Sequence, residues 1–92
     1  MGLIEDMERM LLSDTVEMMN SSEYKERFKA EYYQLKIRLS KLESMVEKWD
    51  KGELDFTPTC HRELYDVQMD AMRKYLDVLD ERAKLEEVDL EI

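Results

Sequence analysis

Two stretches of this chain place apolar residues at alternating intervals of four and three, and that spacing leaves few folds open. In SSEYKERFKAEYYQLKIRLSKLESMVEKWDKG, the residues Phe28, Tyr32, Leu35, Leu39, Leu42, Val46 and Trp49 follow one another at 4, 3, 4, 3, 4, 3. Further on, Tyr65, Met69, Met72, Leu76, Leu79 and Ala83 repeat the alternation. A heptad spacing of this kind is one stripe of an α-helix. Two such helices joined by a short link lie antiparallel as neighbours.

Punctuation sets the expected boundaries. Asn20 with Glu23 three residues later has the form of a capping box, and Gly52 that of a C-terminal stop, which predicts a first long helix over about 21–51. At 1.5 Å per residue it is about 45 Å long. The second long helix is expected just after Pro58, with Thr57 or Thr59 as N-cap, so the link DKGELDFTP puts the turn at about 52–58. Upstream, Leu3, Ile4, Met7, Met10 and Leu11 have amphipathic spacing, and SDTVEMMNSS interrupts it. The expected architecture is therefore all-α: a short N-terminal amphipathic helix within residues 1–20, a kink or break near Ser13 to Thr15, then an antiparallel hairpin over 21–92.

A further stripe, Leu64, Ala71, Tyr75 and Val78, lies roughly 100° around the second helix from its seam. One partner helix cannot cover both stripes. Either the N-terminal segment or another copy must pack there, and assembly as an oligomeric helical bundle is the expectation. A 92-residue helical chain is small enough to recruit such a partner. The eight methionines suit adaptable contacts, Met18 and Met19 above all.

Charge and cysteine content bound the setting. A single cysteine forms no internal disulfide, no apolar run approaches the length of a membrane span, and MGLIEDMERMLL carries acids where a signal peptide carries bases. A cytoplasmic protein without membrane partners is expected. The net charge of −9 is uneven: residues 1–20 carry −4, residues 21–51 carry +2 and residues 52–92 carry −7. Only the middle segment favours an anion.

Three groups of side chains invite a chemical reading. Cys60 beside His61 suggests a thiolate couple or a metal, but no second cysteine or histidine exists to complete either. No catalytic residue, metal or cofactor is expected, and an enzyme is disfavoured because no nucleophile, base and orienting group can be assembled. Thr59, His61 and Arg62 at a helix start could hold a phosphate, unless Thr57 and Thr59 cap the amides and Arg62 pairs with Asp66. Lys29, Tyr33 and Lys36 stand at i, i+4 and i+7, where two cations and a ring could neutralise phosphate and stack a base. In an antiparallel hairpin that line is level with residues 76–83 and about one turn from Arg73. Asp77 and Asp80 are at the same level and could instead pair with the lysines.

The span from EYKERFKAEYYQLK to LDVLDERA resembles a family of small helical-hairpin proteins encoded by phages and prophages of gut bacteria, crAss-like phages among them. The matching positions are Glu31, Tyr32 and Leu35, then Leu54, Phe56, Pro58 and Cys60 in the turn, then Leu64, Gln68, Met72, Tyr75, Leu79, Arg82 and Ala83. Small phage hairpin proteins of similar shape include oligomeric sponges that sequester the nucleotide signals of bacterial immune systems such as CBASS and Thoeris. The resemblance implies a phage anti-defence protein acting in the infected bacterial host. Its ligand is a nucleotide second messenger, a cyclic oligonucleotide or ADP-ribose derivative, bound without cleavage by a homo-oligomer, with no DNA or RNA partner. The expected ligand-binding residues are Lys29, Tyr33, Lys36, Thr59, His61, Arg62 and Arg73. The alternative is a protein-binding inhibitor or adaptor using acidic helical faces.

Overall fold

The computed structural model describes residues 10–90. In that span the protein is all helical: a 3₁₀ turn at Leu12–Thr15, then α1 (Val16–Met19), α2 (Tyr24–Asp50) and α3 (Arg62–Leu85). The two long helices form the expected hairpin. Their seams supply its core, with Phe28, Tyr32, Leu39 and Val46 of α2 buried against Met69, Leu76, Leu79 and Ala83 of α3. Leu79 is fully buried at the centre. Trp49 and Tyr65 close the seam beside the turn, ring edge to ring face at 5.7 Å.

Both long helices end in the same way. The Glu53 amide donates to the Lys48 carbonyl at 2.8 Å and the Gly52 amide to the Trp49 carbonyl at 3.0 Å, a Schellman closure with Gly52 at φ 72°. At the end of α3 the Val88 amide donates to the Ala83 carbonyl at 2.8 Å, and Glu87, not glycine, takes the left-handed position at φ 57°. That closure turns the chain back over α2. Val88 and Leu90 enter the core, the Tyr33 hydroxyl donates to the Leu90 carbonyl at 2.7 Å, and Lys25 Nζ donates to the Glu87 carbonyl at 3.0 Å.

The helix starts differ from expectation. Asn20 is occupied in ending α1, its amide donating to the Val16 carbonyl, so Glu23 in extended conformation is the N-cap of α2. The Ser21 hydroxyl accepts from the Glu23 amide at 3.1 Å. Neither Thr57 nor Thr59 caps α3. The N-cap is His61, and residues 51–61 make the crossing. In the expected N-terminal helix, Leu3, Ile4 and Met7 lie outside the described residues, and residues 12–19 form only the 3₁₀ turn and the single turn of α1. Ser13 to Thr15 is a pinned turn: the buried Thr15 hydroxyl donates to the Leu12 carbonyl at 2.7 Å and accepts from Gln34 Nε2 at 2.8 Å. Met18 packs on the core, while Met19 is half exposed. No helix among the described residues is long and apolar enough to cross a membrane.

Candidate functional site

Midway along the hairpin a groove of about 570 Å³ opens between α2 and α3, with Met10 and Leu11 at its edge. Its volume falls in the range of small-molecule sites. Each wall is a row of residues at i, i+4, i+7: Lys36, Ser40 and Glu43 from α2, Arg73, Asp77 and Asp80 from α3. Tyr32, Ile37, Leu39 and Leu76 make an apolar floor, and Lys41 stands beside the α2 row.

The charges of these walls are unequally satisfied. Arg73 Nη2 donates to Glu43 at 2.8 Å across the two helices and stands 3.9 Å from Asp70. That contact with Glu43 holds the Arg73 guanidinium above its ordinary pKa. The Tyr32 phenol is pushed up first by burial and then by the Asp80 carboxylate beside it. Lys36, Lys41 and Asp77 make no ion pair among the described residues. Among the described residues the groove thus holds two cations and one carboxylate without an ion pair, above the buried Tyr32.

Of the residues expected from the sequence, Lys36 and Arg73 meet in this groove. Lys29 lies one helical turn above Tyr33 and leans on Glu26 at 3.7 Å. Tyr33 is a correction to the expected stacking line: it is buried under the returning segment 86–90, with its hydroxyl held by Leu90 and its ring edge-on to Tyr32 at 5.8 Å. A ring so enclosed offers no face to a base. The anticipated pairing of Lys29 and Lys36 with Asp77 and Asp80 is also absent among the described residues.

Thr59, His61 and Arg62 sit at the other end, beside the turn. Thr59 and His61 are exposed. Arg62 grips Asp50 with Nε and Nη2, both at 2.9 Å, and Asp66 with Nη1 at 2.6 Å. This fork ties the end of α2 to the start of α3, and it holds the Asp50 carboxyl below its usual value. The adjoining cavity, about 460 Å³, is walled by Glu43, Glu47, Asp50 and Asp66 around Arg62, Arg73 and Lys51, so carboxylates outnumber cations there. Cys60 is exposed and its thiol lies against the Tyr65 hydroxyl. Among the described residues no three His, Cys, Asp or Glu side chains converge on a point that could take a metal.

Lys41 and Tyr32 join the groove without having been singled out as ligand residues. Continuing the 29–33–36 line by four and three gives Ser40 and Glu43, which identifies the wall but not Lys41, one residue off it. Tyr32 was legible only as a seam residue.

No curated protein and no solved structure matched the chain. A family model did: Sequestin, over residues 22–85, a span that contains both long helices, the crossing and every groove residue except Met10 and Leu11. The family's name speaks of sequestration, and the match covers well over half of the sequence, so the chain belongs to the Sequestin family.

Proposed function

We propose that the protein sequesters a nucleotide-derived immune second messenger, a cyclic oligonucleotide or an ADP-ribose derivative, in the groove between α2 and α3, and that it does so without cleaving it. In this reading it is a phage anti-defence protein acting in the cytoplasm of an infected bacterium. The observation that carries the reading is the pair of lysines, Lys36 and Lys41, that make no ion pair among the described residues and stand over an apolar floor in a chain whose net charge is −9. A ligand drawn into so acidic a molecule through cations must itself be anionic. The family membership supports sequestration as the outcome of binding.

Each wall has a role. Lys36 and Lys41 neutralise phosphate as mobile point charges, and Arg73 adds a planar fork when a phosphate oxygen replaces Glu43. Ile37 and Leu76 supply apolar surface for a base, with Tyr32 buried beneath them. Asp77 accepts hydrogen bonds from ribose hydroxyls or an exocyclic amine, which a purely cationic groove would leave unread. Lys29 extends the positive approach from one side. The cluster of Thr59, His61 and Arg62 stays outside the site in this reading, because Arg62 is already committed to Asp50 and Asp66.

The test is retention. The protein is incubated with a panel of cyclic oligonucleotides and ADP-ribose derivatives, freed of unbound ligand, denatured, and the released material identified. Recovery of an intact panel member is expected. Recovery of a cleavage product would make the protein an enzyme, and retention of nothing would move the reading to a protein-binding inhibitor or adaptor.

A further inference from the structure

The side of α3 turned away from the groove carries five residues, Leu64, Val67, Ala71, Tyr75 and Val78, all of them exposed. Leu64 is 51 %, Val67 65 % and Val78 55 % accessible, values suited to a contact surface on a helix otherwise rich in acids. The 3₁₀ turn and α1 pack on α2 and not on this side of α3; the Tyr75 hydroxyl donates to the Glu31 carboxylate of α2, and Tyr75 remains 45 % accessible. Arg82, which would fall on the same stripe, is drawn aside by Glu86 at 2.9 Å, the Tyr24 hydroxyl at 2.8 Å and the Phe28 ring at 5.0 Å.

The spacing of these residues is a palindrome. Measured from Ala71 they stand at −7, −4, 0, +4 and +7. A helix with that pattern is complementary to itself when a second copy lies across it antiparallel, about a two-fold axis through residue 71. Leu64 then meets Val78 of the partner subunit, Val67 meets Tyr75 of the partner subunit, and the two small Ala71 side chains let the helices approach closely. Charge agrees with the register. Lys74 and Asp70 flank the stripe on one side, three residues after and one before the centre, so the two-fold brings each lysine to within about 3 Å, along the axis, of the opposing Asp70. Lys74 makes no ion pair among the described residues, and Asp70 has only the 3.9 Å approach of Arg73.

We infer that the protein forms an isologous dimer through α3, antiparallel and centred on Ala71. The occupant of the stripe is a second copy of this chain. Arg73, Asp77 and Asp80 point from the opposite side of the same helix, so both grooves stay open and each chain keeps a complete site of its own.

Two measurements on the 92-residue chain decide this, and neither requires a ligand. Light scattering at tens of micromolar is expected to give twice the 11.1 kDa chain mass, and Ala71→Glu to give a monomer of unchanged helicity. Register is read in a Cys60→Ser background with a bismaleimide of about 8 Å reach, matched to the close spacing of packed helices. Ala71→Cys is expected to cross-link to a covalent dimer. Val78→Cys is expected not to, because its two copies stand about 21 Å apart along the helices. A monomeric wild-type protein would hand the stripe to a different protein and overturn the inference. So would an assembly that Ala71→Glu leaves intact, a failure of Ala71→Cys to cross-link, or cross-linking of Val78→Cys at the same rate.

Discussion

The turn end of the hairpin and the groove at its middle are built from the same materials, basic side chains facing acidic ones across two helices, yet they satisfy their charges differently. At the turn, Arg62 spends its donors on Asp50 and Asp66. In the groove, Lys36 and Lys41 are left without an ion pair among the described residues, and only Arg73 is engaged, by Glu43. The turn cluster is a fastening and the groove is receptive. A committed guanidinium holds helices together, while an uncommitted ammonium above an apolar floor can exchange water for a ligand phosphate.

The largest effect should come from a residue on which both regions depend. Leu79 is fully buried between the helices, and Leu79→Ala should cost about 2 to 5 kcal/mol of stability, since a cavity forms where the seam is tightest. Urea denaturation measures it, and groove and clamp should fail together. Separating the two regions comes next. Lys36→Ala and Lys41→Ala should each weaken retention of an anionic ligand by roughly tenfold, more at low salt than at high, with stability changed by less than about 0.5 kcal/mol. Titration calorimetry across a salt series measures both the affinity and its screening.

Tyr33 sharpens the contrast from another side. Tyr33→Phe removes the hydrogen bond to the Leu90 carbonyl and should lower stability by about 1 kcal/mol while leaving ligand affinity within twofold. An affinity loss equal to that of Lys36→Ala would return this ring to the binding site. The smallest effect concerns pH at the clamp. Arg62 holds the Asp50 carboxyl below its usual value in the folded chain, so the stability it lends is present above the unfolded pKa, near 3.9, and is lost as pH falls through the lower folded value. Acid titration of Arg62→Ala by circular dichroism should show a shallower loss of stability below about pH 4 than the wild type.

How far these regions were legible in the sequence depends on the separation of the partners involved. The seams were legible because burial on a helix repeats with the helix's own period, so Phe28 to Trp49 and Tyr65 to Ala83 declared themselves locally. Fixing the two seams fixes the register, and register alone placed Lys36 near Arg73, Asp77 and Asp80. Tyr33 was misread because its cover comes from Leu90, far along the chain, after a left-handed turn at Glu87 that carries no glycine to announce it. Thr57 and Thr59 have the right chemistry for a cap, but local preference yielded to the crossing, which ends where Arg62 can reach Asp50. Lys41 was missed because a groove has width, and a one-residue-wide line along a helix does not capture it.

The central claim is that the groove, not the turn, binds the ligand. Its most direct test is titration calorimetry of the retained ligand against two variants in parallel, the double substitution Lys36→Ala with Lys41→Ala, and Arg62→Ala. The double variant should lose roughly a hundredfold in affinity, while Arg62→Ala should stay within twofold of the wild type. Full affinity in the double variant, or a loss confined to Arg62→Ala, would contradict it.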